Sequence, residues 1–384
     1  MKKFFVILLI LSLCLSSLTG CKKAEEESVP EETSIEVSES SEESSESSVE
    51  ESSVEESSES SVEESSEESS EESSEEVVEI DPSSINPLTG EIGEAGLAYK
   101  RPVAIMINNH AAAVPQLGIS EADILVELIV EGGITRFMAI YQELPEDIEI
   151  GSVRSLRHNY LDFSEGFDAI VVHCGSSNLA EDALYYRDVD DVDAIYMDGS
   201  LFYRDSWRIY NMGYEHSLCV NSSDLQNYLD NRSFSMEHDE DYQCNMVFSE
   251  APVLAEASEL TDITVDFGTG KYTYFSYDPE TGLYTGSQYG DSWYDVNTEG
   301  PVLMKNLLVI QTAVWVCDGD GHQDMTLTGE GNGWFMVNGQ MAEITWSREG
   351  DSDQFTYTYA DGTPVEFGIG KTYIAVVNNA GGVY

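Results

Sequence analysis

Apolar positions along this chain change their spacing more than once. Phe4–Leu15 is a largely apolar run of twelve residues behind Lys2 and Lys3. From Lys22 to Ile80 apolar residues almost vanish, and the chain is built from ESSE, SSVEE and EESS repeats. After Pro102 short apolar runs return. Val103–Ile107 is bounded by Pro102 and Asn108-Asn109-His110 and predicts a buried strand. Asp123–Glu131 mixes apolar and acidic residues and fits strand or helix, and Thr135–Tyr141 is strand-like. Ser152 can cap a helix from about Val153 to Glu165, with Leu156, Tyr160 and Phe163 on one face and Arg154 next to Arg157 on another. Asp168–Cys174 predicts a strand, Gly175 a turn, and Leu179–Tyr186 a helix begun by Ser176-Ser177-Asn178. Ile195–Met197 predicts a short strand. Ser223 with Gln226 forms a capping box for a last helix to Arg232.

Beyond residue 245 the period becomes that of strands. Ile263–Phe267, Lys271–Tyr277, Leu307–Val316, Met341–Trp346, Phe355–Tyr359 and Tyr373–Val377 alternate with glycine turns. Trp315, Trp334, Trp346 and Phe335 are expected in core or turn packing. The pattern predicts an α+β (or α/β) N-terminal domain over 81–245, then a mainly antiparallel β domain over 246–384.

The first two stretches carry no fold. The apolar run is too short to span a bilayer and right for a secretion signal over 1–20. Leu18-Thr19-Gly20-Cys21 reads as a lipobox, in which small residues admit a peptidase and the Cys21 thiol takes lipid (diacylglyceryl, then palmitate or a similar chain). Two acyl chains make a stable anchor and one does not. Residues 21–80 read as a disordered acidic stalk, because they cannot bury enough surface to offset chain entropy. A flexible coil of that length would span roughly 45 Å. The expected location is the outer face of the cell membrane.

Charge then narrows the function. The net charge is -56. From Lys22 to Ile80 there are 24 Glu against 2 Lys; from Asp81 on, 49 acidic residues face 13 basic ones. Such an excess repels nucleic acid. Six of those 13 cations fall between positions 136 and 208, and all are Arg, the side chain suited to a bidentate grip on carboxylate or phosphate. The expectation is an anion pocket of Arg136, Arg154, Arg157, Arg204 and Arg208, with His173, Ser176, Asn108 and Asn109 beside it. The competing expectation is internal ion pairing, with Asp162, Asp188 and Asp205 as partners. His173 and Cys174 are adjacent on a strand and point to opposite faces, so they cannot act as a pair. His173 and His216 are the candidate catalytic bases for a hydrolase of wall material, although no G-x-S-x-G elbow is present. Asp318–Asp324 resembles the start of a calcium loop but has Gln323 and Gly329 where an EF-hand needs Gly and Glu, so a hairpin turn is expected and no metal. No cofactor is expected. Cys174, Cys219, Cys244 and Cys317 follow Cys21, and Cys219–Cys244 is the candidate disulfide.

Several phrases, RPVAIMINNH, PQLGISEADILVELIVEGGITRFMAIYQ, IGSVRSLRHNYLDF, DAIVVHCGSS, FYRDSWR and EHSL, occur in this order. With LTGEGNGWFMVNGQMAEITW and FGIGKTYIAVV they resemble the YerB-like lipoprotein family of Gram-positive bacteria. The resemblance spans about Ile85 to Val377. It implies a lipoprotein of two domains and assigns no catalytic residue. Cys174 replaces a small residue, and the stalk is unusually long for the family. The reading is therefore a membrane-anchored extracytoplasmic protein that binds an anionic envelope component or a membrane-protein partner. The alternatives are the hydrolase and a structural scaffold.

Overall fold

Fully buried apolar strands leave no surface for solvent on either face, and here they assemble into one sheet spanning both halves of the chain. The computed structural model describes residues 80–197 and 199–384. The expected signal, the lipidation site Cys21 and the stalk lie outside the described residues, save exposed Ile80. The first half contributes β1 (Val103–Asn108), β2 (Ile124–Ile129), β3 (Thr135–Tyr141), β4 (Glu149–Gly151), α1 (His158–Ser164), β5 (Ile170–His173), α2 (Asn178–Arg187), β6 (Asp191–Asp193), β7 (Phe202–Arg204), α3 (Ser206–Met212), β8 (Leu218–Asn221) and α4 (Ser222–Leu229). The ambiguous 123–131 stretch is thus a strand.

An 11-stranded sheet runs β6, β5, β1, β3, β2 and then passes directly into the second half through Thr372–Asn378, Asn306–Thr312, Gly329–Val337 and Gln340–Arg348. The seam is β2 lying parallel to Thr372–Asn378, from Ile124 opposite Thr372 to Leu128 opposite Val376. The first half mixes helices and strands. The second is mainly antiparallel β, with Thr372–Asn378 parallel to both of its neighbours and Glu366–Gly368 parallel to Val247–Ser249. Over one face lies an antiparallel meander of Asp262–Asp266, Tyr272–Asp278 and Leu283–Gln288. Its core is aromatic: Trp293 meets Phe137, Phe275 and Tyr373 at ring separations of 5.3, 5.4 and 5.7 Å. On that same face Glu127, wholly buried, accepts hydrogen bonds from Asn109, Thr135, Thr273 and Tyr373 and pairs with Lys271 at 3.3 Å. The opposite face of β3 carries Arg136 and is met by α1, whose Tyr160 hydroxyl donates to the Arg136 carbonyl at 2.7 Å.

Four local expectations are corrected. The helix expected from Val153 begins only at His158. Backbone N–H groups of Val153, Arg154 and Leu156 donate instead to Leu218, Met106 and Gly175, three separate parts of the fold, so the segment stays extended. Arg154 and Arg157 therefore do not share a helix face. Ala194–Tyr196 is a turn of 3-10 helix rather than a strand. The last helix is capped by Asn221, whose side chain accepts from Ser223 and Asp224. Cys219 and Cys244 do not pair: each thiol donates to a different carbonyl, Ser217 and Pro87, in separate surroundings. Of the four aromatic residues, Phe335 and Trp346 are core, whereas Trp315 sits exposed on a hairpin strand.

A candidate anion site at the end of the first-half strands

The carboxyl ends of β1 and β5 and the extended 152–157 segment converge on one place. Register puts Arg136 opposite Asn108 on β1. Arg136 donates to the carbonyl of Ser155, the residue that follows Arg154. Leu156 bridges to Ser176, which brings the Gly175-Ser176 turn alongside. Arg154 donates to the Glu215 carbonyl at 2.7 Å, and Arg204 donates to the neighbouring Tyr214 carbonyl at 2.7 Å. Four of the expected arginines are thus gathered.

Their charge is poorly balanced. Among the described residues Arg157 pairs with Glu131, while Arg136, Arg154 and Arg204 bond to backbone carbonyls and to no carboxylate. The Arg154 Nε is buried with no partner. Burial, with the charges of Arg157 and Arg154 added, pushes Arg136 down to about 10. Burial likewise lowers Arg154, with Arg157 and Arg204 opposing its charge and Glu215 partly supporting it. Burial alone would raise Glu131, but the hydrogen bond and charge of Arg157 take it below the usual carboxylate range. Several guanidinium groups are thus held near one another with one direct carboxylate partner among the described residues.

The remaining candidates have other places. Arg208 is a buried clamp: it donates to the carbonyls of Ala113, Pro115 and His216 and does not reach the cluster. Arg187 takes the internal-pair course, held by Asp162 and Glu165. Asn109 belongs to the Glu127 network on the other sheet face. Asn108 meets His216 at 2.8 Å, and His216 stacks on His110 with ring centroids 5.3 Å apart. Burial lowers the His216 pKa, Glu215 opposing and the neighbouring His110, Arg154 and Arg208 adding to it. His173 is buried with one ring nitrogen on the Gly175 carbonyl at 2.9 Å and the other on Asp191 at 3.1 Å. Among the described residues no hydroxyl or thiol hydrogen-bonds either His173 or His216.

Sequence reasoning missed the supporting residues: Glu131, Ser155 through its carbonyl, Tyr214, Glu215 and His322. His322 lies 3.3 Å from Glu131, so a hairpin of the second half closes one side of the site. That hairpin, between Val314–Val316 and Gln323–Met325, is the expected turn. Asp318, Asp320 and His322 do cluster, but Asp318 accepts from the backbone of Asp320 and His322, which is turn geometry. A separate groove of about 1020 Å³ is bordered by Glu237, Asp239, Glu240 and Glu250 and by none of the clustered arginines.

The fold and this site define an α+β protein with a cluster of arginines in an acidic body. Residues 88–235 match the N-terminal domain, and residues 263–374 the C-terminal domain, of the family described as "Protein of unknown function (DUF3048)". The chain is 32% identical over 295 residues to "Putative lipoprotein YerB" of Bacillus subtilis (strain 168), across 76% of this chain and 85% of that protein. The crystal structure of YerB protein from Bacillus subtilis is 30% identical with a TM-score of 0.68, covering 78% of this chain and 98% of that one. The chain belongs to the YerB-like family.

Proposed function

We propose that this protein is a lipoprotein of the outer membrane face that binds an anionic envelope ligand through Arg136, Arg154, Arg157 and Arg204. The lipid anchor is Cys21, supported by the lipobox sequence and by the relative's name. The observation that carries the binding reading is the imbalance at the cluster: three arginines without carboxylate partners among the described residues, in a chain of net charge -56. A fold gains nothing from leaving a buried cation such as Arg136 without a counter-charge unless something else supplies one. The ligand carries phosphate or carboxylate groups, free or on a wall polymer or membrane partner. The two domains, 81–245 and 246–384, both face the site, the second through its His322 hairpin. Calorimetric titration with inorganic phosphate at low salt tests this. Binding should weaken by tenfold or more in Arg154→Ala, about the worth of one charge-assisted contact. Equal binding by the variant and the parent removes the site.

A further inference from the structure

The arginine cluster has an aromatic and aliphatic border. Tyr214 is 63% exposed, and the Arg204 guanidinium lies 4.0 Å from its ring centroid. The carbonyls of Tyr214 and Glu215 hold Arg204 and Arg154, so ring and guanidinium groups share one rigid frame. Ile195, also 63% exposed, lies against the Gly175 turn. A Cβ on Gly175, where φ is +71°, would stand 2.9 Å from Ile195 Cδ1 and 3.8 Å from Ser155 Oγ. Arg154 is fastened to that turn by its carbonyl, which accepts from Cys174. Trp207 and Tyr210, on α3, are exposed as well.

Solvent-exposed rings beside a cluster of arginines suit a ligand that is charged at one end and apolar on a flat face at the other. An inorganic ion needs no rings. An anionic bilayer is a plane, and the folded body, with 49 acidic residues against 13 basic from Asp81 on, carries a net charge that such a plane repels. A slender ligand escapes that repulsion. We propose, resting on the anion-binding reading above, that the ligand is a phosphorylated saccharide. Its phosphate sits among Arg136, Arg154 and Arg157, and the C–H face of its sugar lies on Tyr214 and reaches Ile195.

The full chain is titrated with inorganic phosphate, N-acetylglucosamine 1-phosphate and N-acetylglucosamine. The sugar phosphate should bind about tenfold tighter than inorganic phosphate, and the neutral sugar only weakly. Tyr214→Ala should bring the two phosphate affinities together, while Tyr214→Phe keeps them apart; Arg154→Ala weakens both. If Tyr214→Ala does not fold, Tyr214→Leu and Ile195→Ser make the same comparison. Equal affinity of the parent for phosphate and sugar phosphate overturns the saccharide assignment and leaves the anion site standing. A ratio unchanged by Tyr214→Ala also overturns it, the ring then serving only to position Arg204. Failure of both phosphates to bind overturns the saccharide and the anion reading together.

Discussion

Replacing Arg136 by Met should make this protein more stable and worse at binding anions. The guanidinium is buried and has Arg154 and Arg157 as neighbours, and its pKa falls from 12.5 to about 10. That drop corresponds to roughly 3 kcal/mol against the charged folded form. The sign follows from protons bound. Below about pH 10 Arg136 is protonated in both states, so the whole penalty is present at neutral pH; it is relieved only as pH rises from about 10 toward 12.5. Methionine retains most of the apolar stem and drops the charge. The hydrogen bond to the Ser155 carbonyl is lost, at about 1.5 kcal/mol. The balance is a gain of roughly 1–2 kcal/mol, or about 2–4 °C in the thermal midpoint. Urea unfolding at pH 7 and low salt measures it. Adding phosphate at a hundred times its Kd should stabilise the parent by about 2.7 kcal/mol and the variant much less. A variant destabilised by about 2 kcal/mol or more, with an unchanged phosphate response, refutes the reasoning. The fold itself would then be supplying the compensation that has been assigned to a ligand.

Other outcomes follow from the same contacts. Glu127→Leu should cost about 3–5 kcal/mol by leaving the Lys271 charge buried without its carboxylate, and adding Lys271→Met should recover part of that; chemical denaturation of the single and double variants decides it. Trp293→Ala empties the space between Phe137, Phe275 and Tyr373 and should cost about 3–5 kcal/mol by the same assay. Asp123 is raised to about 6 by burial, which outweighs its hydrogen bonds from Gln142 and Asn86 and the charge of Lys371. An acid with a raised folded pKa binds more protons when folded, so its contribution is lost as pH rises from about 4 to 6, by roughly 3 kcal/mol. The stability difference between parent and Asp123→Asn should therefore change across that window; a constant difference would show that Asp123 is not raised. Arg208→Lys cannot reach three carbonyls at once and should lower stability by about 2 kcal/mol, read as a shift in the urea midpoint.

Much of this protein is written in short-range pattern. The runs Val103–Ile107 and Thr135–Tyr141 and the alternation of the second half give their strands directly, because burial on one or both faces dictates the side-chain period. Ser177 before Asn178 marks the start of α2 for an equally local reason, a hydroxyl within reach of the Ala180 N–H. The crowding of arginine into 136–208 is compositional and needs no fold to be seen. Tertiary structure decided what depends on distant partners. The segment after Ser152 had a plausible helix period, but Leu218, Met106 and Gly175 claimed its backbone donors. β2 pairs with a strand more than two hundred residues away, so no window of sequence contains the seam. The arginines divide in the same way. Arg187 found Asp162 and Glu165, Arg208 found three carbonyls, and Arg136, Arg154 and Arg204 were left facing one another's charge. The sequence states how many cations there are. Only the folded chain settles which of them receive a carboxylate, because that depends on which atoms arrive within a few ångströms after every strand has taken its place.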